Sequence, residues 1–185
     1  MVKEFMDDGA ERMDKAVIAV NNEFNTVRTG RAAPALLDRI SVDYYGTRTP
    51  LRQLANVSAP EARLLVVTPY DKSALKEIEH AIMESELGLN PSNDGSLIRL
   101  AIPELTEERR RELVKVVRGL AEDGRVAVRN VRRHVLHDIK ELQKEGEISE
   151  DELRRTEQEL QKITDGHTRK IDEMLKRKEA EILEV

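Results

Sequence analysis

Between Thr106 and Leu142 the chain carries Leu113, Val117, Leu120, Gly124, Val128, Val131, Val135, Ile139 and Leu142, each three or four residues after the last. No proline interrupts the stretch. The spacing predicts one amphipathic helix of about 37 residues, some 55 Å long at about 1.5 Å per residue. Thr106 is placed to cap it, with Glu107 and Glu108 at the positive end of its dipole. A helix this long with so narrow an apolar seam needs equally long partners beside it.

The sequence supplies two. Residues 1–29 carry Met13, Val17, Val20, Phe24 and Val27 at alternating steps of four and three, the seam of a second amphipathic helix. After Gly146, Ser149 caps a third, whose seam is Leu153, Leu160, Ile163, Ile171, Met174 or Leu175, and Ile182. The heptad-like spacing argues for antiparallel bundle packing.

Between the first two helices the periodicity changes. Ile40, Val42 and Tyr44 alternate with polar residues as in a strand, and Gly46 marks a turn from which Thr47–Leu54 returns. Leu64–Val67 reads as a buried strand. Asp71 or Ser73 caps a short helix presenting Leu75, Ile78 and Ile82, which stops near Gly88. After turns at Asn90-Pro91 and Asp94-Gly95, Leu97–Ile102 forms a last apolar run. The expected fold is therefore α+β: an elongated, discontinuous three-helix bundle of residues 1–30 and 105–185, with residues 31–104 inserted as a small, mostly β, α+β domain. The chain crosses between them twice, at Gly30-Arg31 and Glu104-Leu105, and such a double linker is a hinge.

A net charge of −5 discourages a nucleic-acid reading until the charge is located. Residues 109–133 hold nine basic and three acidic side chains, a local +6. Arg111, Arg118, Arg125, Arg129 and Arg132 fall within an arc of about 60° on the long helix, and Lys115 and Arg133 lie just outside it. Leu113, Leu120 and Val131 centre the seam about 140° away. Arginine is the side chain suited to bidentate phosphate contacts. The alternative is a solvated face paired with Glu122, Asp123 and acids of the last helix. Aromatics make up 3% of the chain, none of them within the stripe, so phosphates and shape would be read, as in folded RNA, and base stacking is not expected. Leu136 projects into the arginine arc, either as a tolerated exposed leucine or as an apolar contact for a partner.

Several chemistries are excluded or weakly supported. Without cysteine there is no disulfide, thiol nucleophile or thiolate zinc site. No apolar run approaches a membrane span, and the acidic first eight residues do not read as a signal peptide, so a cytoplasmic protein is expected. His134 and His137 stand three apart near Asp138 and Glu141, but no facing ligand set accompanies them, and His167 is isolated; these read as surface histidines, with no metal. No glycine-rich phosphate loop or nucleophile constellation is present, so neither an enzyme nor a cofactor is expected.

The assembled motifs resemble the ribosome recycling factor family. They are Val27-Arg28-Thr29-Gly30-Arg31-Ala32, Val42-Asp43-Tyr44-Tyr45-Gly46-Thr47 followed by Thr49-Pro50-Leu51, Leu87-Gly88-Leu89-Asn90-Pro91, Leu105-Thr106-Glu107-Glu108-Arg109-Arg110, and Arg125 through Arg133. The resemblance implies a transfer-RNA-like L shape and a non-enzymatic role in splitting post-termination ribosomes with elongation factor G and its GTP hydrolysis. It implies binding of large-subunit ribosomal RNA at the subunit interface through Arg129 and Arg132, with Arg28 and Arg31 by the linker; Arg118, Arg125 and Arg133 join them from the stripe. A monomer is expected. The competing reading is a coiled-coil adaptor whose arginines meet an acidic protein.

Overall fold

The computed structural model describes residues 1–184. In chain order its elements are α1 (Val2–Thr26), β1 (Ser41–Tyr44), β2 (Thr47–Pro50), the single turn α2 (Leu51–Leu54), β3 (Ala55–Glu61), β4 (Leu64–Pro69), α3 (Leu75–Glu84), β5 (Pro91–Asn93), β6 (Ile98–Ala101), α4 (Glu107–Lys144) and α5 (Glu150–Leu183). They form two compact units, one of Met1–Thr29 with the chain from Glu107 onward, the other of Gly30–Thr106.

The first unit is a three-helix bundle. A Cβ on Gly9 would lie 2.6 Å from Val135, and one on Gly124 would overlap the Val20 side chain, so α1 runs antiparallel to α4 at close approach. Arg118 meets Glu179 and Arg125 meets Asp172, so α4 and α5 are also antiparallel. Ser149 caps α5 by accepting the Glu152 amide at 3.1 Å.

The seams differ in phase from the sequence reading. On α4, Ala121 is buried and Leu120 only half-buried. Ala121 and Ile139 draw the seam to within roughly 90° of the arginines, well short of the expected separation. On α5, Thr156, Thr164 and His167 are buried, while Leu153 and Ile163 are half-buried. The two threonines satisfy their hydroxyls by donating to the carbonyls of Glu152 and Leu160, four residues back. His167 is not a surface residue. Its Nδ1 lies 2.7 Å from the Ile163 carbonyl oxygen and its Nε2 2.6 Å from an Asp14 carboxylate oxygen, which ties α5 to α1. Hydrophobicity alone could not place these groups, because local hydrogen bonds make their burial tolerable.

In the second unit β3, β4, β6 and β5 form an antiparallel sheet in that order, and β1 and β2 form a separate hairpin. Leu65, Val67, Ile98 and Leu100 from the central strands share a core with Val42, Leu51, Ile78 and Ile82. Three details depart from expectation. The return strand stops at Pro50, and Leu51–Leu54 makes one helical turn that buries Leu51, whose amide donates to the Ile40 carbonyl at 2.9 Å. β3 was not legible, since only Ala55 and Val57 face inward and Pro60 stands on an edge where no amide is required. Pro91–Asn93, read as a turn, is the other edge strand.

The ends of this unit lie side by side. Gly30 has φ +76°, and a Cβ there would sit 3.0 Å from Leu105. Both passing segments are pinned to the β3–β4 turn: Ala32 donates to the Ala62 carbonyl at 2.7 Å, Ile102 donates to that of Arg63 at 2.9 Å, and Arg63 pairs with Glu104 at 2.6 Å.

Candidate nucleic-acid interface

Helix α4 carries its arginines along the border between its seam and solvent, and most of them reach a carboxylate or amide. Arg111 Nη2 donates to Glu107 at 2.6 Å, one turn away on the same helix. Arg118 Nε donates to Glu179 of α5 at 2.6 Å; the arginine side chain is 65% exposed and the glutamate 23%. Arg125, only 21% exposed, donates through Nε to Asp172 at 2.8 Å and through Nη1 to Glu122 at 2.9 Å. Arg129 Nη2 donates to the other Glu122 oxygen at 2.6 Å. Arg132 makes a long contact of 3.4 Å to the Gln161 amide oxygen. Arg133 and Lys115 make no hydrogen bond or ion pair among the described residues.

The electrostatics follow from this pairing. Hydrogen bonds from Arg129 and then Arg125 hold the Glu122 carboxyl below the usual range. At Arg125 burial opposes the charge, but bonds to Asp172 and Glu122 outweigh it and raise the guanidinium above its ordinary value. These groups stay charged at neutral pH. Arg118 and Arg129 are solvent-accessible in their pairs, where water screens the attraction, whereas Arg125 is largely enclosed by its two carboxylates.

The structure thus brings Arg118, Arg125, Arg129 and Arg132 into one row, with Arg133 exposed beside it. Arg28, just past α1, belongs to the bundle unit, whereas Arg31 belongs to the other. Leu136 is half-buried beside the row, and His137 is exposed. His134 Nδ1 lies 3.2 Å from Arg12 of α1. Of the acids weighed against the stripe, Glu122 pairs with it and Asp123 makes no ion pair among the described residues. The acids of α5 that meet the row could not be singled out from sequence. They are Glu179 and Asp172, with Asp165 behind Gln161, and their steps of seven repeat those of Arg118, Arg125 and Arg132. That matched heptad spacing was the available signal. No group of three or more His, Asp or Glu side chains able to hold a metal exists among the described residues, nor is any helix long and apolar enough to cross a membrane.

A family model for ribosome recycling factor matches residues 20–183. The chain belongs to the ribosome recycling factor family. It is 61% identical over 180 residues to the ribosome-recycling factor of Rubrobacter xylanophilus, covering 97% of each chain. It is 55% identical over 185 residues to that of Bacillus subtilis, covering both completely. A solution structure of the ribosome recycling factor superposes with a TM-score of 0.78 at 43% identity, covering 100% of this chain and 98% of that one. A Thermus thermophilus factor, in models with Escherichia coli elongation factor G bound to the E. coli post-termination complex, matches with a TM-score of 0.67 at 50% identity and 99% coverage of each. Ribosome recycling factors are non-enzymatic translation factors, and so is this chain.

Proposed function

We propose that this chain splits ribosomes after termination together with elongation factor G and GTP, and that its bundle docks on large-subunit ribosomal RNA through Arg129 and Arg132, flanked by Arg118, Arg125, Arg133, Arg28 and Arg31. The observation that carries the reading is the arginine row of α4, solvent-facing along one edge, on a chain that matches recycling factors over its full length. The relative placed with elongation factor G on a post-termination complex supports the choice of partners. Nothing in the row stacks bases, so phosphates are what it recognises. The factor acts as a cytoplasmic monomer, and the chemical energy comes from its partner's GTP.

The test is subunit splitting of purified post-termination complexes, followed by light scattering. Adding the protein with elongation factor G and GTP should release subunits at a rate that neither factor reaches alone. An unchanged scattering signal overturns the reading. Binding to the large subunit should also weaken with salt, each phosphate contact adding about 0.7–0.9 to the steepness of the log–log plot.

The hinge belongs to the same proposal. Gly30-Arg31 and Glu104-Leu105 are the crossings on which residues 31–104 swing, and their attachment to one β-turn makes them move as a pair. With no native cysteine, Ser92→Cys and Glu159→Cys give one dye site in each unit. Energy transfer between them should change when elongation factor G and GTP join the ribosome-bound protein. A transfer efficiency identical in the free, ribosome-bound and partner-bound states overturns the hinge.

A further inference from the structure

Arg118, Arg125 and Arg132 are spaced by sevens on α4, and Glu179, Asp172 and Asp165 run opposite them by sevens on α5. Arg118 and Arg125 each offer Nε to the facing carboxylate, at 2.6 and 2.8 Å. At the third rung Gln161 intervenes, accepting from Arg132 at 3.4 Å and donating to Asp165 at 2.8 Å. A guanidinium held by its Nε edge keeps its outer pair of nitrogens for a second, bidentate acceptor. The Nη groups of Arg118 have no other partner among the described residues. Glu179 therefore occupies Arg118 without covering it, whereas Arg125 also gives its Nη1 to Glu122.

We propose that Glu179, Asp172 and Asp165 are a built-in counter-charge that competes with RNA phosphate for Arg118, Arg125 and Arg132, and so sets how fast the factor leaves the ribosome. The inference rests on the RNA-binding reading above. Carboxylate and phosphate attract the same guanidinium, so the carboxylates subtract from what phosphate gains. The geometry grades the rungs. Arg118 and Arg125 are paired directly, whereas Arg132 meets a neutral amide and is the least restrained. A factor used repeatedly must dissociate each time, and a row of wholly unpaired arginines would hold a polyanion too long.

The isosteres Glu179→Gln, Asp172→Asn and Asp165→Asn remove charge while keeping an oxygen that can accept from arginine. Binding of the full-length protein to salt-washed large ribosomal subunits is measured at equilibrium and by dissociation after dilution. Each isostere at a directly paired rung should tighten binding by about two- to fivefold, chiefly through slower dissociation. The salt slope should not move, because the number of phosphates contacted is the same. Removing any negative charge favours a polyanion in general, so the deciding measurement is a double-mutant cycle. The gain from Glu179→Gln should disappear in an Arg118→Gln background. A gain that persists there, or unchanged or weaker binding by Glu179→Gln and Asp172→Asn, overturns the proposal. Unchanged binding by Arg118→Gln, Arg125→Gln and Arg132→Gln together, with a flat salt slope, overturns the RNA-binding reading itself.

Discussion

Reversing Arg132 to glutamate should weaken binding to the large ribosomal subunit by about 10- to 100-fold, the loss of a charge-assisted phosphate contact with repulsion added. Arg132 is the sensitive position because its only hydrogen-bond partner among the described residues is the neutral Gln161 amide oxygen, at 3.4 Å. Little folding energy is at stake there, so the bundle should keep its thermal midpoint. Arg129→Glu should act in the same direction. It also strips Glu122 of the partner that contributes most to keeping it ionised, which leaves Arg125 as that carboxylate's remaining neighbour. Each substitution should flatten the log–log salt plot by about 0.7–0.9. Sedimentation of the protein with subunits over a salt series measures both quantities. Wild-type affinity in Arg132→Glu would remove this residue from the interface, and a similar loss in the exposed α1 variant Lys15→Glu would reduce the effect to general charge.

Gly124→Leu should destabilise the bundle by about 2–4 kcal/mol, through overpacking that cannot relax. Gly124 sits where all three helices meet. A Cβ there would overlap Val20 of α1 and approach Ile171 of α5 to 3.3 Å. Even Gly124→Ala should lose stability, although alanine gains about 1 kcal/mol of helix propensity over glycine. Gly119, on the same helix, is the control. Nothing lies within 4 Å of a Cβ at that position, so Gly119→Ala should stabilise by about that propensity. Urea denaturation separates the cases, with the inserted unit providing an internal reference if it unfolds in its own transition. Equal midpoints for Gly124→Leu and wild type would show that α1 and α4 do not approach as described.

The bundle was legible because its signal is long. Met13, Val20 and Phe24, and Val117 through Leu142, repeat often enough for their period to be unmistakable. Short elements carry too few repeats. Three-residue β5 and the fading pattern of β3 left no period to count, and their pairing comes from neighbouring strands. The polar seam of α5 was hidden for another reason. Thr156, Thr164 and His167 are admitted to the interior by bonds to carbonyls four residues back, a property of geometry that composition does not carry. At the candidate interface the arginines were readable one by one. Their carboxylate partners on α5 repeat by the same sevens, but which acid faces which arginine depends on the α4–α5 register, which only the packed helices define. One buried alanine in place of a leucine turned the expected free stripe into a bordering one.

The adjacency of Gly30 and Leu105 has a consequence for how the chain reaches its native state. To the bundle, residues 30–106 are a loop that must close before α1 can find α4. An open loop of that length costs about 2–3 kcal/mol more to close than a turn of a few residues. Once the inserted unit has folded, its two ends are held together at the β3–β4 turn by Ala62 and Arg63. The long loop has then become a short one, and the entropy of bringing α1 to α4 has largely been spent inside a different hydrophobic core. The insert is thus a splint for the bundle it interrupts.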